Sequence, residues 1–238
     1  MSASEKIGAF FDLDGTLLPP PSLEWRFVGY LLAHDRLGSA DVARWLAHFA
    51  KKILPDPRAA TLGNKRYLAG LPQSLADDWE NSLTRDSLRL YPAALERMIW
   101  HWSQGHRVFL VSGTLENLAQ VVALRLPGPA EVCATRLEAT GGFWTGRMTG
   151  DHMSAEAKAR AVRGLAARFG LSLWDSYAYG NSMSDLPMLD SVGRRVAVNP
   201  SVRLARIARG EGWPACDWKS PAFDSMRAAK RLAAREAR

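Results

Sequence analysis

The chain has 238 residues, 47% of them hydrophobic, which is enough apolar material for one large domain or for a core carrying a smaller insert. Its net charge of +7 favours anionic partners, whether phosphorylated molecules, membrane surfaces or nucleic acid, without choosing among them. The absence of any apolar run of about 18 residues predicts no membrane-spanning helix. The polar start, Met1 to Lys6, is unlike a secretory signal, and Cys133 and Cys216 lack metal-ligand spacing, so they read as reduced thiols of a cytoplasmic protein.

The first predicted element is an apolar strand, Ile7 to Phe11, that ends abruptly in Asp12-Leu13-Asp14-Gly15-Thr16. A continuous apolar run of this length fits a strand buried on both faces of a parallel sheet. Ligands of open parallel sheets bind beyond the carboxyl ends of the strands, where Asp12 and Asp14 stand. Two carboxylates so close repel when both are ionised. Raising one pKa, or binding a hard cation such as Mg²⁺ between them, relieves that repulsion. One Asp could then be a nucleophile and the other a general acid/base. The plainer alternative is a loop whose Asp side chains only cap turns.

Pro19-Pro20-Pro21 stiffens the exit from this loop, and Ser22 is placed to cap a helix. The stretch to about Tyr91 reads as a helical insert over the ends of the sheet. Its apolar faces are Trp25, Phe27, Val28, Leu31 and Leu32, then Val42, Trp45, Leu46 and Phe49, with shorter candidates at Ala59–Leu71 and Leu75–Leu90. Trp25, Trp45 and Trp79 read as the core of that insert. A helix follows from Pro92 towards Gly105. A second buried strand, Arg107 to Val111, then stops at Ser112-Gly113-Thr114, with a helix from Leu115 to about Leu124. Backbone N–H groups at such a helix start, with the Ser112 hydroxyl, suit a phosphate oxygen; the alternative is an ordinary connection capped by Thr114.

Glu131–Ala139 and Phe143–Met148 flank Thr140-Gly141-Gly142 as a hairpin. Ser154 is placed to cap the next helix, which ends near Gly170. Lys158 lies in its first turns, where the helix dipole disfavours a cation and either solvent or an anion must accompany it. A strand at Asp175–Tyr179 ends in Gly180-Asn181-Ser182-Met183-Ser184-Asp185. It is followed by a strand at Arg195–Val198, a helix at Val202–Gly210, an edge strand within Trp213–Trp218 and a basic tail, 219–238. Strands alternating with helices, with polar residues at three strand ends, predict an α/β, doubly wound, mostly parallel sheet with its site along one edge.

Taken together and in order, Asp12-Leu13-Asp14-Gly15-Thr16, Ser112-Gly113-Thr114, Lys158 and Gly180-Asn181-Ser182-Met183-Ser184-Asp185 resemble the four motifs of the haloacid dehalogenase-like (HAD) superfamily. The helical stretch between the first two resembles the cap of its phosphoserine-phosphatase-like branch. The resemblance implies a Rossmann-like core, 1–18 and 92–218, with a helical cap at 19–91. It implies that Asp12 is the nucleophile of an aspartyl-phosphate, and that Asp14 protonates the leaving alcohol and then activates water. It further implies that Ser112 and the Gly113 N–H bind phosphate oxygens, that Lys158 neutralises charge, and that Mg²⁺ binds Asp12, the Asp14 carbonyl and a residue of the last motif. Such division of labour suits phosphoryl transfer, which depends on positioning and charge stabilisation.

Two positions depart from the branch pattern. Asn181 stands where the metal-binding Asp is usual, leaving Asp185 to compensate directly or through water. Pro21 stands where the substrate-reading Glu is usual, so that Glu24, with Arg26, becomes the first choice for contact with substrate. The expected activity is therefore a Mg²⁺-dependent phosphomonoesterase acting on a small or amphiphilic phosphorylated substrate. A phosphotransferase or mutase using the same intermediate is the enzymatic alternative, and a non-catalytic basic binding module the alternative of another class. Nucleic acid is not an expected partner. The tail, with Arg227, Lys230, Arg231, Arg235 and Arg238, reads as solvated, with weak contact to a membrane surface as its other use.

Overall fold

A computed structural model describes residues 6–38, 40–41, 43, 65–84 and 87–219. A six-stranded sheet forms its centre, in the order β3-β2-β1-β6-β7-β8, with parallel pairing throughout. The strands are β1 (Gly8–Phe11), β2 (Arg107–Leu115), β3 (Ala130–Thr135), β6 (Tyr177–Gly180), β7 (Arg194–Val198) and β8 (Ala215–Cys216). From β1 the chain moves outward through β2 and β3, then returns to the other side of β1 through β6. This reversal opens a crevice at the carboxyl ends of β1 and β6.

All four residues of β1 are buried, as its unbroken apolar run requires. On one face Phe11, Leu110, Tyr177, Tyr179 and Val196 join the larger core cluster. On the other, Phe10, Phe109, Val111, Ala178 and Ala197 pack with Val162 and Ala166. The latter two come from the helix Glu156–Phe169, which ends at Gly170 in the left-handed conformation favoured at a helix stop.

Several local expectations shift. The strand read as ending before Ser112 runs on to Leu115, with a register irregularity between Ser112 and Leu115, so Gly113 and Thr114 lie in a bulged strand end. Leu115, not Thr114, is the N-cap of the helix Glu116–Ala123. Residues 130–135 belong to the main sheet; the hairpin is only β4 (Leu137–Thr140) with β5 (Phe143–Met148). The helix Glu156–Phe169 starts from Ala155 at φ 48°, and no Ser154 cap forms.

In the insert, helix Leu23–Ala33 begins at Ser22, whose hydroxyl accepts from the Trp25 N–H, and helix Leu75–Ser82 follows. Phe27, Val28, Leu31, Tyr67, Leu68, Leu75 and Trp79 join the same apolar cluster as Leu17, Leu18 and Leu118 of the core. Trp79 is buried as expected, but Trp25 is 44% exposed and Leu32 40%, because the buried face of this helix runs through Leu23, Phe27 and Leu31 instead. Residues 70–73 pair with the hairpin through Gly70 N–H to Trp144 O, Trp144 N–H to Leu71 O and Gln73 N–H to Gly142 O. The second apolar face, at Val42 to Phe49, and the tail beyond Lys219 lie outside the described residues.

Candidate active site

Asp12 continues the line of β1, its N–H donating to Tyr179 O of β6 at 3.0 Å. The chain then folds tightly: Thr16, Leu17 and Leu18 N–H groups all donate to Leu13 O, and Gly15 N–H donates to Leu18 O. Gly15 has φ +83°, and an added Cβ would stand 2.1 Å from the Asn181 side-chain amide. Only glycine permits both the turn and that approach, so the sequence -Asp-Gly-Thr- brings Asn181 against the aspartate loop. Asn199 secures the same loop, donating from Nδ2 to Gly15 O at 3.0 Å.

Lys158 is the centre of the charge arrangement. It is 2% exposed, and its Nζ donates to Asp12 Oδ1 and Asp185 Oδ1, each at 2.6 Å. Of the two companions that its place on the helix allowed, the anion is the one found. The remaining Asp185 oxygen accepts from Asn181 N–H, Ser182 N–H and the Ser182 hydroxyl at 3.1, 2.9 and 2.8 Å. Both oxygens of Asp185 are thus engaged by the protein, and Asp185 anchors the lysine and the loop together. Gly180 is the condition for this, since a Cβ there would come within 2.5 Å of the Asp185 Cβ. The loop also grips the start of the lysine helix, through Ala155 N–H to Ser184 O at 2.9 Å.

Burial raises the Asp12 pKa to about 7; Lys158 pulls it down, while Asp185 and Asp14 push it up. Burial opposes the charge of Lys158, but Asp12 and Asp185 outweigh it and push the lysine pKa up. Asp14 accepts the Leu23 N–H at 2.8 Å, yet burial raises its pKa to about 6, with the Glu24 charge adding to the rise. The site therefore gathers three carboxylates around one ammonium, an excess of negative charge in a buried place.

Ser112 is 1% exposed within β2, at the start of its irregular last residues, where its Oγ accepts the Thr114 N–H at 3.3 Å. Thr135 Oγ1 donates to Gly113 O at 2.9 Å and accepts the Met153 N–H at 3.1 Å, which fixes the bulged strand end against the neighbouring loop. Glu24 follows Leu23 and lies beside Asp14. Burial disfavours its charge, but Lys65, Tyr67 and His152 overcome this and lower its pKa. Arg26, by contrast, directs its guanidinium to backbone: Nε to Pro21 O, Nη1 to Ser87 O and Nη2 to Pro19 O, at 2.8, 3.0 and 2.6 Å. The structure thus makes it a clamp on the proline segment.

Sequence reading missed Thr16, which donates to Asp12 Oδ2 at 3.2 Å, and Lys65 and Tyr67, which reach Glu24 from the insert. It also missed His152, whose ring lies 3.0 Å from where a Gly113 Cβ would stand. Thr16 was detectable as part of the first motif. The others had no local signal, because each arrives from a distant segment.

The fold is a doubly wound parallel sheet that sets Asp12 and Asp14 at its reversal point, with Lys158 joined to Asp12 and Asp185. The haloacid dehalogenase-like hydrolase family matches residues 9–190, and the chain belongs to it. It is 34% identical over 224 residues to phosphoserine phosphatase SerB1 of Mycobacterium tuberculosis, covering 89% of this chain and 70% of that one. Among solved structures, a protein of unknown function from Bordetella pertussis Tohama I aligns with TM-score 0.75 and 28% identity, over 90% of this chain and all of the other. A phosphoserine phosphatase holding a phospho-aspartyl intermediate analogue aligns with TM-score 0.64 and 19% identity, over 94% and 99% of the two chains. Its likeness is one of fold. With this family membership and a phosphatase among its sequence relatives, the chain is a HAD-family phosphatase.

Proposed function

We propose that this phosphatase hydrolyses a small phosphoric monoester through a phosphorylated Asp12, with Mg²⁺ as its cation. The observation that carries this reading is the contact of Lys158 with Asp12 Oδ1, made at the carboxyl end of β1 with Asp14 two residues on. In the proposed reaction an Asp12 oxygen attacks phosphorus, and the bond to the leaving oxygen breaks. Asp14, with its pKa raised to about 6, retains a useful protonated fraction near neutral pH and gives its proton to that oxygen. It then takes a proton from the water that opens the acyl-phosphate. Ser112 Oγ and the Gly113 N–H hold phosphate oxygens, and Lys158 keeps its charge beside the transferred group. Thr16 and Lys158 between them orient the nucleophile.

The donor set fits a hard cation. Buried negative charge exceeds positive charge at Asp12, Asp14, Asp185 and Lys158, and oxygen donors surround the excess. Among the described residues no group of three or more His, Cys, Asp or Glu is arranged to hold an ion. A mixed set of oxygens would hold it: an Asp12 oxygen, the Asp14 backbone carbonyl and the Asn181 side-chain oxygen. Asp185 acts indirectly, through Lys158. When bound, Mg²⁺ would neutralise phosphate charge and shield it from the nucleophile.

Among the described residues no helix is long and apolar enough to cross a membrane, and a reduced, cytoplasmic setting suits the two free thiols. The test is hydrolysis of p-nitrophenyl phosphate and a panel of phosphorylated metabolites, with and without Mg²⁺, by native protein and Asp12→Asn. Mg²⁺-dependent release of phosphate by the native protein alone is the expected result; a folded Asp12→Asn protein of native activity would refute the assignment. Transfer of the phosphoryl group to an added alcohol in preference to water would make the activity that of a phosphotransferase.

A further inference from the structure

Beside the general acid lies a second buried ion pair that the reaction above does not use. Lys65 Nζ donates to both Glu24 oxygens, at 2.7 and 2.6 Å, and the Tyr67 hydroxyl donates to Glu24 Oε1 as well. Lys65 is 4% exposed and Tyr67 1%. Glu24 follows directly on Leu23, whose N–H holds Asp14, and its charge is close enough to Asp14 to push that pKa up. It also feels His152, whose ring lies against Gly113 on the phosphate side. The pair therefore borders the space between the phosphate contacts and the acid, where the alcohol must leave.

A carboxylate beside the leaving group would attract a cation on that group. Here the chain supplies the cation itself. Two of the three Lys65 protons are taken by Glu24, Tyr67 takes up acceptor capacity on Oε1, and the third lysine proton remains for an oxygen acceptor. A second ammonium brought there would find Glu24 already satisfied by Lys65 and Tyr67. Lys65 cancels the attraction that Glu24 would otherwise exert, so the incoming cation gives up hydration and gains no partner.

Resting on the phosphatase reading, we infer that Lys65 is a specificity-determining residue, an internal ammonium that directs the site to monoesters whose alcohol carries no cation. Neutral polyols and hydroxy acids are the alcohols that the third lysine proton can serve. Amino-alcohol phosphates are turned away.

The experiment compares kcat/KM for ethyl phosphate and phosphoethanolamine, which differ by one ammonium, in native protein, Lys65→Met and the double variant Glu24→Gln/Lys65→Met. Comparing proteins cancels the intrinsic difference between the two alcohols. Lys65→Met bares the Glu24 carboxylate and should shift the ratio towards phosphoethanolamine by about tenfold or more. It also leaves a buried charge alone and risks misfolding. The double variant removes both charges together, and the Tyr67 hydroxyl can still donate to the new amide oxygen. It should leave the ratio close to native, since a neutral pair is exchanged for neutral groups. A folded Lys65→Met protein with a ratio within about twofold of native, or a double variant whose ratio moves about tenfold towards phosphoethanolamine, with p-nitrophenyl phosphate still hydrolysed, would overturn the inference and leave the phosphatase reading standing. Failure of native protein to hydrolyse p-nitrophenyl phosphate would remove both.

Discussion

Asp14 carries two opposed demands. As a proton donor it benefits from burial, and as a carboxylate it is destabilised by it. Its pKa is about 6 when folded and about 3.9 in an open chain. The folded state binds the proton more tightly, so the penalty is absent below pH 4, grows between those two values and is complete above pH 6. Asp14→Asn keeps an acceptor for the Leu23 N–H and should stabilise metal-free protein by roughly 1–2 kcal/mol at pH 7.5 but not at pH 4. Thermal melts at the two pH values check this. The same variant should lose about 10²–10⁴-fold in turnover of an alkyl phosphate and less with p-nitrophenyl phosphate, whose leaving group needs little protonation. Equal losses on both esters would exclude Asp14 as the acid. For the last motif, Asn181→Asp should lower the Mg²⁺ concentration needed for half-maximal activity. Asp185→Asn should reduce turnover with that concentration little changed, since Asp185 holds Lys158 and not the cation. A large rise for Asp185→Asn would return it to the metal set. Asp12 and Asn181 could be placed beyond strand ends because a buried strand announces where its carboxyl end falls, whereas Ser112 was read as a strand end and lies inside β2, which runs on to Leu115. Lys65 and His152 were not legible, because tertiary packing alone brings them to Glu24 and Gly113.

At the scale of elements, helices were easier to read than the joints between them. Val202–Gly210 has the expected bounds because Ser201 and the apolar spacing mark it locally. The start of the lysine helix was misread, since Ala155 takes a left-handed conformation that nothing in its own sequence favours. The carbonyl of Ser184 supplies the reason, holding the Ala155 N–H and so placing Lys158 between two strand ends. Ala155→Gly should relieve about 1 kcal/mol of strain and raise the denaturant midpoint, with the Lys158 contacts intact. An unchanged or lower midpoint would mean that the loop does not impose the strained turn. The hairpin was misread because Thr135 and Leu137 lie only two residues apart, and the sheet claims the first strand while the hairpin keeps the second. Trp25 fell outside the core for a similar reason. The helix turns Leu23 and Phe27 inward, and its large aromatic remains partly in solvent.

For the whole molecule, the alternation of strands and helices was sufficient to predict a doubly wound, mostly parallel sheet, whereas the strand order and the reversal beside β1 come from the structure alone. What the chain pattern could not give was charge balance, because that depends on which groups are buried together. His101 illustrates the consequence. It is fully buried, with Nε2 against the Tyr179 hydroxyl and Nδ1 against His106, and burial, with Arg97 and His106 adding, lowers its pKa to about 2. In an open chain the value is about 6.5, so between those limits the unfolded state binds a proton that the folded state refuses. Stability must therefore fall as pH drops below about 6.5, by up to about 1.4 kcal/mol per pH unit from this group. Asp12 and Asp14 act in the opposite sense over part of that range. His101→Gln isolates the histidine, and the variant should lose less stability than native protein between pH 6.5 and 4.5. Parallel losses in the two proteins would place the acid sensitivity elsewhere. The central claim concerns the covalent step at Asp12, and the most direct measurement is intact and peptide mass after rapid acid quench of protein turning over p-nitrophenyl phosphate with Mg²⁺. The account predicts one added phosphoryl group on the peptide containing Asp12, discharged by hydroxylamine and absent from Asp12→Asn. Turnover with no such adduct, or the adduct on another residue, would contradict it.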